Sequence, residues 1–253
     1  FTNILGQPDG QIHRKLTKLA FELKGDAWEP FTYGQKAWAF HVATRFGVKL
    51  IMYGENGELE YGGSEKYKHI AKEGPEEWEY EYFKGATVDD LAEVGIERGY
   101  FEKNEILENT LQLYKAPKPE TILKSGSEMH WYSYYHKWTP QENYYYCVDN
   151  TGFKPNSERT EGTYSKYASL DDKMDGFHYY LRYIKFGLGR CMEDAAHEIR
   201  DGHITREEGL ALMQRYEGEF PKKYFNDFLD YLDITEDHFW DVVDSWRAPH
   251  LKN

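Results

Sequence analysis

The stretch Val48-Lys-Leu-Ile-Met-Tyr-Gly-Glu-Asn-Gly-Glu-Leu-Glu60 constrains this chain most. An apolar run that ends in glycine and then gathers carboxylates and an amide is the layout of a ligand-binding strand end in α/β proteins. Five of its first six residues, Val48, Leu50, Ile51, Met52 and Tyr53, are apolar or aromatic. That pattern predicts an inner strand buried on both faces of a mainly parallel sheet. Just upstream, Gln35 to Phe46 reads as a helix stopped by Gly47 at its C′ position. Helix, glycine, strand and polar loop make half of a βαβ unit.

The polar loop carries Gly54, Glu55, Asn56, Glu58 and Glu60. Backbone amides, one side-chain amide and several carboxylates at such a place can bind ribose or sugar hydroxyls, or hold Mg²⁺ through a few oxygens. A solvated acidic turn has the same spacing, so the residues alone leave both readings open.

Charge and cysteine usage exclude some functions. The formal net charge of −13 argues against a broad nucleic-acid surface, because phosphate affinity rests on neutralisation by Lys and Arg. Cys147 and Cys191 make neither a metal pattern nor a disulfide framework, which fits a reducing cytoplasm. No apolar run is long enough for a bilayer and no charged-then-apolar leader is present, so a cytoplasmic, non-membrane protein is expected. The chain opens on Phe1 and moves directly into a helix, which suggests that it begins inside a longer gene product.

Further elements follow from local signals. Ile12, Leu16, Leu19, Ala20 and Leu23 lie on one helical face ended by Gly25, opposite a basic face of His13, Arg14, Lys15 and Lys18 expected to be solvated. Helices are predicted from Thr87, over Asn104–Tyr114, and from a Thr139-Pro-Gln-Glu142 capping box to about Val148. The C-terminal third predicts a helix over Arg190–Arg200, a turn at Asp201-Gly202, a Thr205–Glu208 capping box opening the next helix, and two helices flanking Ile234-Thr235.

Two further stretches are candidates for chemistry. Asn156 to Tyr167 interleaves Arg159 and Lys166 with hydroxyls and rings, and it runs on through Asp171 and Asp172 to His178. It reads as a long polar loop whose cations suit phosphate or carboxylate, or as an exposed loop with local charge pairs. Ile184-Lys-Phe-Gly-Leu-Gly-Arg190 sets two glycines, Lys185 and Arg190 before a helix, where amides and the dipole favour an anion. On that helix Glu193/His197 and Asp194/Glu198 read as ordinary i, i+4 pairs.

The segments Thr2–His13, Pro30–Gln35, Tyr53-Gly-Glu-Asn56, Glu60-Tyr-Gly-Gly63, Arg159–Tyr167, Asp171-Asp172 and Ile184–Glu208, in that order, resemble the N-acetyl sugar amidotransferases of the PP-loop ATP pyrophosphatase superfamily. The resemblance implies a role in bacterial surface-sugar synthesis, of pseudaminic or legionaminic acid or of lipopolysaccharide. It implies that ATP with Mg²⁺ adenylates the oxygen of an N-acetyl group and that ammonia, from a separate glutaminase-type donor, displaces AMP to leave an acetamidino group.

The fold implied is α/β, a partial Rossmann-like parallel sheet of the adenine nucleotide alpha hydrolase type with a large, mostly helical C-terminal part. Residues 1–65 would be the later part of the nucleotide-binding domain, and 66–253 an aromatic-rich substrate or partner region. Gly54, Glu55, Asn56 and Glu60 become nucleotide or Mg²⁺ candidates. Arg159, Lys166, Asp171, Asp172, Lys185 and Arg190 become substrate or anion candidates; no catalytic residue and no resident metal site is assigned.

The family's Ser-Gly-Gly-x-Asp-Ser loop and Cys-x-x-Cys pairs do not occur in this sequence, and Ser125-Gly-Ser127 does not replace the loop. The chain is therefore expected to be the family's later portion, with little ATP pyrophosphatase activity alone. The alternative is a non-catalytic sugar-binding or partner-docking fragment. A tRNA-modifying PP-loop enzyme is disfavoured by the acidic charge.

Overall fold

The computed structural model describes residues 2–54, 69–72, 74, 87–107 and 109–252. They divide into two compact units, one comprising Phe1–Ala20 with Trp28–Lys137 and the other Phe21–Ala27 with Trp138–Asn253. The junction expected at residues 65–66 lies outside the described residues.

In the first unit, helix α1 (Gly10–Lys24) starts where Asp9 accepts hydrogen bonds from the Gln11 and Ile12 amides at 2.8 and 3.1 Å. Ile12, Leu16, Leu19 and Ala20 are buried, as the apolar spacing predicts. Its basic face is only partly solvated. His13 Nδ1 bonds with Tyr114 Oη at 2.9 Å, and Lys15 pairs with Glu105 at 2.7 Å. Helix α2 (Glu29–Phe46) begins six residues before Gln35, because Pro30 in its first turn suits a helix start. It buries Tyr33, Ala37, Phe40 and Ala43 and ends at Gly47, whose φ of 71° is left-handed.

Strand β1 (Leu50–Tyr53) pairs in parallel with β2 (Glu128–Trp131), with Leu50 opposite Glu128 and Tyr53 opposite Trp131. The chain is α/β in this sense, with a small parallel sheet and a large helical part. The expectation that β1 is buried on both faces is corrected. Leu50 and Met52 are 54% and 47% exposed, whereas Ile51 and Tyr53 pack with Phe40, Ile122 and Met129. Helices α2 and α4 (Pro119–Ser125) thus supply one covered face, and a strand covered on one side alternates in burial. Nor is β1 the inner strand among the described residues. That place falls to β2, whose Trp131 amide donates to the Ala71 carbonyl at 2.9 Å on its other edge.

Helix α3 (Val88–Glu97) carries the Thr87–Asp90 capping box its sequence announces. The helix predicted over Asn104–Tyr114 is not formed; the described part holds turns and one 3₁₀ turn at Gln112–Tyr114. Side chains satisfy the backbone there instead. Glu105 accepts from the Glu102 amide at 2.6 Å and Thr110 from the Leu107 amide at 3.0 Å. Ser127 Oγ donates to the Val48 carbonyl at 2.7 Å, so Ser125-Gly-Ser127 ties α4 to the sheet. A one-turn helix, α5 (Tyr132–Tyr135), follows β2 without a loop.

The second unit is helical: α6 (Pro140–Thr151), α7 (Asp175–Phe186), α8 (Arg190–Asp201), α9 (Arg206–Tyr216), α10 (Phe225–Leu232) and α11 (Glu236–Trp246). Its centre is aromatic. Phe21, Phe177, Phe228 and Phe239 have no exposed surface, and the Phe177 and Phe228 rings lie 4.2 Å apart. Phe177 corrects the reading of 156–178 as wholly peripheral, since that stretch includes the start of α7. Helix α6 opens at Thr139 without the predicted cap, because the buried Thr139 Oγ1 makes no hydrogen bond. The Thr205–Glu208 capping box of α9 and the left-handed Gly202 that ends α8 are both as predicted. No helix among the described residues is long and apolar enough to cross a membrane.

Candidate functional site

The first candidate is the carboxyl edge of the parallel strands, where ligands of such sheets bind. Gly54 follows β1 there; it is exposed, and a side chain on it would meet nothing within 4 Å. Backbone can therefore be approached closely at this point. Glu55, Asn56 and Glu60 lie outside the described residues. Among the described residues no group of three or more His, Cys, Asp or Glu is arranged to hold a metal ion. Glu128, His130 and Tyr135 meet near the same edge, and the sequence reading did not single them out.

The second candidate lies around α8 in the helical unit. The turn Gly187-Leu-Gly189 ends α7 and starts α8, and its Gly189 amide is indeed bound to an anion. That anion is the chain's own Glu217 carboxylate, which accepts from the Gly189 amide and, at 2.9 Å, from the Met192 amide. The correction has a steric counterpart. A Cβ on Gly189 would stand 2.7 Å from Glu217 Oε1, so glycine is needed for the carboxylate to enter.

Arg190 points into this network. Its Nε meets Asp194 Oδ1 at 3.1 Å, and its guanidinium lies 4.5 Å from the centre of the Tyr179 ring. Burial disfavours its charge, but Asp194, Tyr179 and Glu193 outweigh that and hold it protonated. Asp194 also accepts from Thr163 Oγ1 at 2.5 Å, and the Thr163 carbonyl accepts from Arg159 Nη1 at 3.1 Å. Arg159 grips Glu219 with both Nη atoms, at 2.6 and 2.8 Å, and lies 4.5 Å from the Tyr216 ring centre. Thr163 therefore joins Arg159 and Arg190, two predicted site residues 31 positions apart, in one network.

The other predicted residues are elsewhere. Lys166 is exposed, with its Nζ 3.3 Å from the Ser157 carbonyl. Asp171 is exposed; Asp172 accepts from the Met174 amide and, at 2.8 Å, from the Asp175 amide at the start of α7. Lys185 donates to the Lys24 carbonyl at 2.6 Å. Glu193 pairs with Arg182, and Asp194 pairs with Arg190 and Thr163.

Burial sets the protonation chemistry of this region. It raises the carboxyl pKa of Glu193, Glu198 and Glu217 above the ordinary range. It pushes the Tyr167 phenol up to about 12, and the Tyr164 phenol, beside Glu198 and Asp194, higher still. These phenols remain hydrogen-bond donors at neutral pH. Tyr167 stacks on Tyr144 with ring centres 4.4 Å apart and donates to Gln141 at 3.0 Å. Beside Tyr144 on α6, Tyr145 and Tyr146 are exposed. The partners the sequence reading missed, Glu217 and Glu219, sit on the short link after α9. A Glu-Gly-Glu run just after a helix that opens with a capping box was the available signal.

The second candidate site lies wholly within the helical unit. Residues 161–253, which span α7 to α11 with Asp194, Arg190, Glu217 and Glu219, match the family described as LPS biosynthesis protein WbpG-like, C-terminal domain. This part of the chain is similar to a lipopolysaccharide-biosynthesis family. No curated protein matches the chain.

Proposed function

We propose that the chain is part of an ATP-dependent amidotransferase that converts an N-acetyl group of a bacterial surface sugar to an acetamidino group, with ammonia as the nitrogen source. The match of residues 161–253 to the WbpG-like C-terminal domain carries this reading. The ordered motifs that resemble the N-acetyl sugar amidotransferases extend it to the rest of the chain. The helical unit suits a polyhydroxylated, anionic sugar. The exposed rings of Tyr145 and Tyr146 offer faces for stacking, and Tyr167, stacked on Tyr144 and donating to Gln141, holds that aromatic surface in place. Arg159 and Arg190 shape that surface through Thr163 rather than standing free for the ligand.

The test is calorimetric titration of the chain with N-acetylated nonulosonic acids and nucleotide sugars, beside an assay of AMP formation with ATP, Mg²⁺ and ammonia. Binding of an N-acetylated acidic sugar, with sugar-dependent AMP formation, supports the amidation. Binding without turnover supports the second reading, a non-catalytic sugar-binding fragment, which the exposed tyrosines of α6 also favour. Absence of binding to every such sugar removes both.

A further inference from the structure

Strand periodicity places Glu128 and His130 on one face of β2, because residues two apart in a strand point the same way. On the neighbouring strand Leu50 and Met52 stand opposite them and are exposed, so this is the face that the helices leave uncovered. There His130 Nε2 lies 3.2 Å from Glu128 Oε2, and Lys72 pairs with the other oxygen of Glu128. Lys72 and His130, through their hydrogen bonds, hold the Glu128 carboxyl below its ordinary range, so it stays ionised at neutral pH. Helix α5 then turns the chain back within one turn, and the Tyr135 ring stacks on the imidazole with centres 5.9 Å apart. Tyr135 Oη reaches His130 Nδ1 at 2.5 Å.

The chemistry of the three groups fixes the proton positions. An ionised Glu128 can only accept, so the neutral imidazole carries its proton on Nε2. Nδ1 is then a lone pair, and the Tyr135 hydroxyl must donate to it. A carboxylate orients an imidazole, and the imidazole faces a hydroxyl within hydrogen-bond reach, as in sites that activate a hydroxyl for proton transfer or attack. His130 is largely enclosed, with 17% of its side chain exposed, whereas Tyr135 is 49% exposed. The relay has one end open to a ligand. Tyr53 and Gly54 end the neighbouring strand opposite Trp131, which puts the relay near the edge where parallel sheets bind ligands.

We propose that Glu128, His130 and Tyr135 form a proton-transfer relay in which Tyr135 exchanges protons with a substrate N–H or O–H bound at the carboxyl edge of β1 and β2. As the nucleophile bonds to an electrophilic carbon, it gives its proton to Tyr135 Oη while the tyrosine proton passes to His130 Nδ1. The imidazolium so formed lies against Glu128. When the leaving group departs with its bonding electron pair, the proton returns through Tyr135 to that group, and the relay is restored without any redox change. Tyr135 is the catalytic residue in this scheme; His130 and Glu128 are positioning residues. The assignment of ammonia as the nucleophile rests on the amidation reading. The relay itself does not.

The test is labelling of the whole chain by a tyrosine-reactive arylsulfonyl fluoride, followed by peptide mass spectrometry, without sugar or ATP. Tyr145 and Tyr146, 56% and 66% exposed, are internal controls for a slightly more accessible phenol without a relay. Tyr135 should be labelled at least about tenfold faster than either, a modest share of the effect ascribed to a positioned base. Glu128→Gln, an exposed change that preserves shape, should slow Tyr135, and His130→Gln should bring Tyr135 to the control rate. Equal rates for Tyr135, Tyr145 and Tyr146 in the unmodified chain would overturn the relay, whether or not the variants fold. A Glu128→Gln chain with an unchanged Tyr135 rate would overturn the carboxylate's part. Neither result bears on sugar binding, so failure here and failure of the amidation reading are separable.

Discussion

Gly218 offers the sharpest test of how the helical unit is held. It lies between Glu217, which caps α8, and Glu219, which grips Arg159, and its φ of 72° is left-handed. A Cβ built on it would stand 2.5 Å from Cε1 and 2.6 Å from Cζ of Tyr183. Gly218→Ala therefore incurs two costs. The left-handed backbone costs a non-glycine residue roughly 1–2 kcal/mol. Forcing a methyl group against a packed ring adds about 1–3 kcal/mol. A stiffer unfolded chain returns about 0.4–1 kcal/mol. The net expectation is a loss of about 2–4 kcal/mol.

Amide hydrogen exchange in α7 and α8 is the right assay, because it reports this unit rather than the chain as a whole. The most protected amides there should exchange roughly 30- to 700-fold faster, since about 1.4 kcal/mol corresponds to a factor of ten. In a Tyr183→Leu background the collision is relieved, and Gly218→Ala should cost only the backbone part, about 1–2 kcal/mol. A loss within about 0.5 kcal/mol in the parent, the scatter of ordinary surface changes, would refute the reasoning. Equal losses in both backgrounds would remove Tyr183 from it.

Three other outcomes are expected. Arg190→Ala leaves Asp194 without its cation inside the unit and should destabilise by about 3 kcal/mol, the low end for breaking a buried pair; denaturant unfolding that shifts by under about 1 kcal/mol would place Arg190 at the surface. At His178, 3.0 Å from Asp26, burial lowers the imidazole pKa, but the charge and hydrogen bond of Asp26, helped by Asp175, raise it above 6.5 against the opposing Arg182. Because the folded pKa is raised, the pair's contribution is complete below the unfolded value and is lost as pH rises through the folded one, so the stability gap between the parent and His178→Gln should shrink from pH 6 upward; a gap constant with pH contradicts this. Thr139→Val removes a buried hydroxyl that has no hydrogen bond and should leave the melting temperature equal or higher, whereas a fall of several degrees would reveal a partner for Oγ1.

What the sequence makes legible is local. Asp9, Thr87, Thr205 and Gly47 act within a few residues of themselves, and the elements they start or end are where the sequence places them. Thr139 has the same letters as a capping box but is buried, and tertiary surroundings decide whether a side chain can turn back to its own helix. The exposed face of β1 was unreadable for a related reason, since an all-apolar run does not say which side its neighbours cover. The anion turn before α8 was legible as chemistry but not as an address. Its amides want a carboxylate, and only the fold reveals that one 28 positions later supplies it. Glu128 and His130 are two apart and needed only a strand assignment to be joined, yet Glu-Met-His-Trp alternates over only four residues, too short a run to prompt one.

Helix α1 is one continuous helix, but its last turn and the residues after it belong with the chain from Trp138 onward. Phe21 sits wholly enclosed among Phe177, Phe228 and Phe239, and Trp246 lies over the left-handed Gly25, where a Cβ would stand 2.7 Å from the ring. Glu22 and Asp26 pair with His238 and His178. Anyone who expresses only Glu161–Asn253, the span recognisable as a unit of descent, would make a body with a missing central ring and two histidines without their acids. The span that matches the family and the stretches that pack together are different here. A peptide covering Phe21–Ala27, supplied separately, is the natural way to rejoin them.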